Sequence, residues 1–295
     1  MSEVFVINGL NDIYNQYDTY ILDQWGVMHD GKKGYRNAIE CIEKLYNRKK
    51  NLIIISNSSK RNHISFNRLT KLGFNPNHFK ELMTSGEMIW KSLVNANYPF
   101  TKNLGRNCFH IFNKNNNDKI KFIEGLDKYN FVNNVEDADF ILGCNPNSNK
   151  RVIDYVKIFD SAVKRNLPFV CANPDFETIE INSFGNKNFC MGTLAELYKY
   201  MGGETFILGK PSLEIYLESS KTLNPIDKSR VLAIGDSLHH DIKGAINFGV
   251  DSLLITSTGI HQDHFNKAKP EWKDLDKSIL QIGVKPTFIC SNLIF

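Results

Sequence analysis

The sequence contains no Cys-x-x-Cys pair, no Gly-x-Gly-x-x-Gly and no apolar run near the ~18 residues that a membrane span requires. These absences remove zinc ribbons, dinucleotide-binding turns and bilayer-spanning segments from consideration. Charge of one sign is missing too: 36 Lys and Arg stand against 32 Asp and Glu, a net charge of +4 over 295 residues. So slight a surplus gives no footprint for nucleic acid or for an anionic membrane surface. The six cysteines, at positions 41, 108, 144, 171, 190 and 290, are widely spaced. The opening stretch MSEVFVINGLND carries neither a basic region nor an uninterrupted apolar segment. Together these predict buried thiols in a reducing, cytoplasmic setting.

What the chain does have is length enough for a full core and a second lobe. Five short apolar runs end in polar or glycine-bearing turns: TYILD (19–23), NLIIISNSS (51–59), FILGCNP (140–146), LPFVCANPD (167–175) and RVLAIGD (230–236). Near-continuous apolar strands of this kind suit a parallel sheet covered on both faces. Between them, 35–49 and 150–164 carry apolar residues at helical spacing, for instance Ala38, Ile42 and Leu45. The alternation predicts an α/β fold with its ligands at the carboxyl ends of the strands. The asparagine-rich IFNKNNNDKIKF (111–122) reads as a surface turn between strand-like flanks. The final TFICSNLIF reads as an edge strand or a segment packed on the core, and CNP (144–146) and ANP (172–174) mark two equivalent strand ends.

Asp23, Ser56 and Asp236 all fall at strand ends. With Lys210 in LGKPS and Asp241 in AIGDSLHHDIKGA, they supply the parts that phosphoryl chemistry needs. A carboxylate can attack an electrophile, a hydroxyl and an ammonium can neutralise phosphoryl oxygens, and further carboxylates can hold a metal that screens anion against anion. Taken singly, each residue also has a plain structural explanation. Asp23 can be a turn residue, Ser56 can cap the following helix, Lys210 can sit on the surface, and Asp236 and Asp241 can decorate a helix start.

In this order the motifs resemble the haloacid dehalogenase-like hydrolase superfamily, within it the NagD-like, class IIA branch. NPDFETIE (173–180) and the passage from Gly192 to Tyr216 resemble that branch as well. The resemblance implies a Rossmann-like parallel-sheet core over 1–83 and 190–295, with an inserted α/β cap of the C2 type over 84–189. It implies a magnesium-dependent phosphatase acting on a small-molecule phosphorylated substrate, without nucleic acid or membrane partners, and a homodimer associating through the caps. Asp23 matches the nucleophile, while Ser56, Asn57 and Lys210 match the phosphate-binding residues. Asp23, Asp236 and the backbone carbonyl of Trp25 match the magnesium ligands, with Asp241 in support.

The chain departs from that pattern at Trp25. The usual phosphatases carry a second aspartate there, which protonates the leaving oxygen; an indole donates a hydrogen bond but does not exchange a proton in that role. Loss of general acid/base catalysis costs about 10² to 10⁴ in rate. One expectation is a leaving group good enough to need no proton, such as an acyl phosphate or phosphoanhydride. Another is a substitute proton donor among His29, Asp30, His239 and His240. A third is a phospho-ligand binding or regulatory protein on the same scaffold, weak or inactive in catalysis.

Overall fold

The alternation of apolar residues along the short runs sends neighbouring side chains to opposite faces of a sheet. A computed structural model describes residues 4–113, 118–181, 187–223, 225–262 and 283–295. Its first strands are β1 (Phe5–Val6), β2 (Thr19–Leu22), β3 (Asn51–Ser56) and β4 (Glu81–Thr84). Then follow β5 (Asn107–Ile111), β6 (Asn130–Val132), β7 (Phe140–Gly143), β8 (Phe169–Cys171), β9 (Glu177–Ile181), β10 (Lys187–Phe189) and β11 (Thr205–Ile207). The chain finishes with β12 (Val231–Gly235), β13 (Asp251–Ile255) and β14 (Phe288–Cys290). It divides into two units, the first made of Met1–Ser56, His63–Met83 and Lys210–Phe295, the second of Asn57–Asn62 and Thr84–Gly209.

The first unit is built on a seven-stranded sheet in the order β1-β14-β13-β12-β2-β3-β4. Every pair from β1 to β3 in that order is parallel. Tyr20 and Leu22, Leu52 and Ile54, Leu232 and Ile234, and Leu253 and Ile255 share one buried cluster. The helix Arg36–Asn47 closes that face, because Ala38, Cys41, Ile42 and Leu45 recur on one side of it and are buried there. Leu254 and Ile289 point to the other face and pack with Leu238 and Ile242. The unit is thus a Rossmann-like parallel-sheet core covered on both faces, into which an α/β segment is inserted.

In the second unit a five-stranded sheet runs β11-β8-β7-β5-β6, parallel at each step. Its core joins Ile141, Phe169 and Cys171 to Phe159 and Tyr198 from the helices Val156–Lys164 and Met191–Tyr200. The β9 and β10 strands form a separate antiparallel pair.

Several expectations shift. The helix Met191–Tyr200 buries Met191, Leu194 and Tyr198 in the second unit, and β11 pairs with β8, so the chain returns to the first unit at Lys210 rather than near 190. The stretch after Ile111 does not become a second strand, since Asp118–Ile123 is helical; 114–117 lie outside the described residues. β14 lies between β1 and β13 rather than at an edge, and Phe288, Cys290 and Leu293 pack on the core, the other expectation for this segment. The CNP and ANP turns do follow adjacent strand ends, where Gly143 pairs with Cys171. Among the described residues no helix is long and apolar enough to cross a membrane.

Candidate active site

Strand register sets the first part of the geometry. Leu22 pairs with Ile54 on one side and Ile234 on the other, so Asp23 emerges level with Ile55 and Gly235. Its N–H donates to the Ile234 carbonyl at 2.9 Å. Ser56 and Asp236 each lie one residue further along the flanking strands, beyond the carboxyl end of the sheet. All three are buried, at 8%, 1% and 6% exposure respectively.

Lys210 joins two carboxylates from separate motifs of the sequence. Its ammonium donates to Asp23 Oδ1 at 2.5 Å and to Asp241 Oδ1 at 2.6 Å, with all three side chains almost fully enclosed. Asp241 stands on a π-helical turn, Leu238–Ile242, and its other oxygen accepts the N–H groups of Asp236 and Ser237 at 3.2 and 3.0 Å. Asp236 Oδ2 accepts the Ile260 N–H at 2.8 Å. The Asp236 carboxyl is held well above the usual carboxylate range by burial first, then by the negative charges of Asp23 and Asp241.

Oxygens of Asp23, Asp236 and Asp241 lie within 4.8 Å of one another, the one such group of potential metal ligands among the described residues. A divalent cation would supply the positive charge that lets three carboxylates share this space with a single ammonium. The donors are hard oxygens, the ligand type that magnesium, manganese and calcium take. The residues therefore fit a hard divalent cation. The backbone takes part as well. Gly26 has a φ of +75°, and a β-carbon there would stand 2.2 Å from Asp236 Oδ2, so only glycine lets the Trp25–Gly26 backbone run alongside that carboxylate.

The indole of Trp25 is braced on the loop that follows it. A β-carbon at Gly31, where φ is +87°, would meet the indole ring at 2.3 Å. The Arg68 guanidinium lies 4.8 Å from the ring centroid, His29 meets the ring edge-on at 5.1 Å, and Arg68 Nη2 donates to the Gly31 carbonyl at 2.6 Å. His29 accepts the Gly31 N–H on Nδ1, so its proton sits on Nε2, which is buried and has no partner among the described residues. Burial, reinforced by the charge of Arg68, pushes its pKa down to about 4, which keeps the ring neutral at neutral pH. Asp30 receives the N–H groups of Lys32 and Lys33 on Oδ1, the pattern of a turn-capping carboxylate. His240 pairs with Ser237, and His239 is held below the ordinary histidine value by burial first, then by the neighbouring His240 and Lys243.

Asn57, the residue after Ser56, belongs to the second unit, where its amide donates to Asp175 Oδ1 at 2.8 Å. That carboxylate is the acid of the Asn-Pro-Asp turn. Arg68 and the Ile260 N–H are contributors that sequence reasoning missed. Arg68 has no local motif, and a main-chain donor leaves no trace in residue identity; Gly26 carried the only readable sign of a close approach.

Two family models match the chain, one described as haloacid dehalogenase-like hydrolase over residues 20–123 and one as HAD-hydrolase-like over 207–293. An acid sugar phosphatase of Staphylococcus epidermidis is 22% identical over 279 residues, covering 90% of this chain and 98% of that protein. A haloacid dehalogenase-like hydrolase of Brucella suis superposes with a TM-score of 0.81 at 27% identity, over 98% of this chain and 100% of that one. A structure described as a possible sugar phosphatase of Cytophaga hutchinsonii gives 0.74 at 18% identity, with 99% of each chain covered.

Proposed function

The chain belongs to the haloacid dehalogenase-like hydrolase superfamily, and from that premise we propose a magnesium-dependent phosphohydrolase of the NagD-like, class IIA branch, acting on a small phosphorylated metabolite through an aspartyl-phosphate intermediate. The observation that carries this reading is Lys210 set between Asp23 and Asp241, with Asp236 beside them. An ammonium bonded to Asp23 Oδ1 aims the buried carboxylate, as a nucleophile must be. Asp23 forms the new oxygen–phosphorus bond, and the bond from phosphorus to the leaving oxygen breaks, its electron pair going to that oxygen. Ser56, Asn57 and Lys210 bind the phosphoryl oxygens, and Asp241 orients Lys210. Asp23, Asp236 and the Trp25 carbonyl would hold magnesium, which when bound supplies positive charge between anionic nucleophile and anionic substrate. The second unit serves as the cap that selects the substrate.

A second reading, a phospho-ligand binding or regulatory protein, is favoured by one observation: the side chain two residues after Asp23 is an indole held against Gly31 and Arg68. Phosphate release from a panel that includes acyl phosphates, with and without magnesium, separates the two. Magnesium-dependent release that Asp23→Asn abolishes supports the enzyme. Silence of the native protein, with release from Trp25→Asp alone, supports the binding protein.

A further inference from the structure

Among the described residues two arginines lie over tryptophan rings, and they differ in one respect. The Arg61 guanidinium lies 3.5 Å from the Trp90 ring centroid and spends its charge on Glu87, 2.7 Å away. Arg68 lies over Trp25, gives one N–H to the Gly31 carbonyl, and has no carboxylate partner among the described residues. Asp30, the acid beside Gly31, instead takes the N–H groups of Lys32 and Lys33 on Oδ1. Arg68 is thus a guanidinium held by a ring and a carbonyl, with donors left over, half-buried on the helix Asn62–Lys71. A guanidinium offers five N–H groups in a planar fork that matches a carboxylate or a phosphate.

Its location gives that charge a use. Trp25 is two residues from Asp23, at most about 7 Å along an extended backbone. We propose that Arg68, carried on the Trp25 ring, is the docking point for a second anionic group of the substrate, so that the protein takes phosphorylated compounds bearing a carboxylate or a further phosphate. This deepens the proposed function and rests on its placement of the phosphoryl group at Asp23. It also gives Trp25 a task other than proton transfer, as the platform that positions Arg68. The indole in turn is seated by Gly31, the residue whose carbonyl binds the guanidinium, so tryptophan, glycine and arginine form one closed arrangement.

The test is calorimetric titration of the magnesium-loaded protein with methylphosphonate, phosphonoacetate, 3-phosphonopropionate and methylenediphosphonate. The native protein is compared with Arg68→Gln and Arg68→Lys. The expected result is at least tenfold tighter binding of a probe with a second anion than of methylphosphonate. That gain should be lost in Arg68→Gln, partly kept in Arg68→Lys, and accompanied by unchanged methylphosphonate affinity. Whether the carboxylates or the diphosphonate show the gain assigns the anion. Equal binding of all probes by the native protein overturns the proposal, whatever the variants do. So does an equal weakening of every probe in both variants, the mark of a merely structural arginine. Failure of the native protein to bind any probe, methylphosphonate included, instead overturns the phosphate site itself and this inference with it.

Discussion

Lys210 Nζ lies 2.5 Å from Asp23 Oδ1, a contact that joins positions 187 residues apart in the chain. With Asp241 on its other side, the ammonium bonds directly to both carboxylates. Removing one partner of a buried pair costs about 3–5 kcal/mol, because the remaining charge is left without compensation. Lys210→Met should lose stability on that scale in urea denaturation without divalent metal, and magnesium should restore more stability to the variant than it adds to the native protein. A loss below ~1 kcal/mol, the range of exposed pairs, would contradict the buried arrangement.

Asp236 is costly to keep, since burial and two neighbouring carboxylates oppose its charge. Asp236→Asn should leave the metal-free protein as stable as the native one or more so. A ligand at one hundred times its dissociation constant stabilises by about 2.7 kcal/mol. The native protein should therefore melt at a higher temperature in magnesium than in chelator, and Asp236→Asn should not. An undiminished magnesium response in the variant would place the metal elsewhere.

Gly31 meets two demands, a left-handed backbone and contact with the indole. Gly31→Ala should destabilise by more than the ~1–2 kcal/mol of the backbone term alone. Trp25→Ala in the same chain should recover the collision part and leave the backbone part. The two changes should then couple by more than ~0.5 kcal/mol in a double-mutant cycle. Simple additivity would mean that the ring does not rest on Gly31.

Glu87 sets a pH window in the second unit. Burial alone would raise its pKa, but hydrogen bonds from Arg61 and from the Asn62 N–H hold the carboxyl below its ordinary value of 4.5. A carboxyl depressed on folding stabilises the native state above its unfolded value, and the contribution fades as pH falls through the folded one. The native protein should exceed Glu87→Gln in stability at pH 7, and the gap should close as the pH drops below about 4.5. A gap that stays constant down to pH 3 would show that the ion pair is not its source.

The five apolar runs were readable because burial on both faces demands unbroken hydrophobicity, and each one is a strand. Asp23, Lys210, Asp236 and Asp241 were readable because strand ends and short motifs carry them. β1, only two residues long, offered no pattern, and Phe5 and Val6 are exposed. Arg68 was hidden because its contacts with Trp25 and Gly31 cross from one element to another. The Asn57–Asp175 bond, between residues 118 apart, was hidden for the same reason. The grouping of 57–62 with the second unit follows from tertiary bonds such as Thr84 Oγ1 to the Lys60 carbonyl and the Gly86 N–H to the Ser58 carbonyl, which no local pattern announces.

The place of β14 between β1 and β13 bears on how the molecule is made. β1 is synthesised long before its neighbour in the sheet, β14. The opening strand therefore waits, unpaired, while some 280 residues are added. Pairings so distant along the chain are slow to close and leave strand edges open to other chains in the interval. The nascent protein should thus depend on protection of β1 until β14 has left the ribosome.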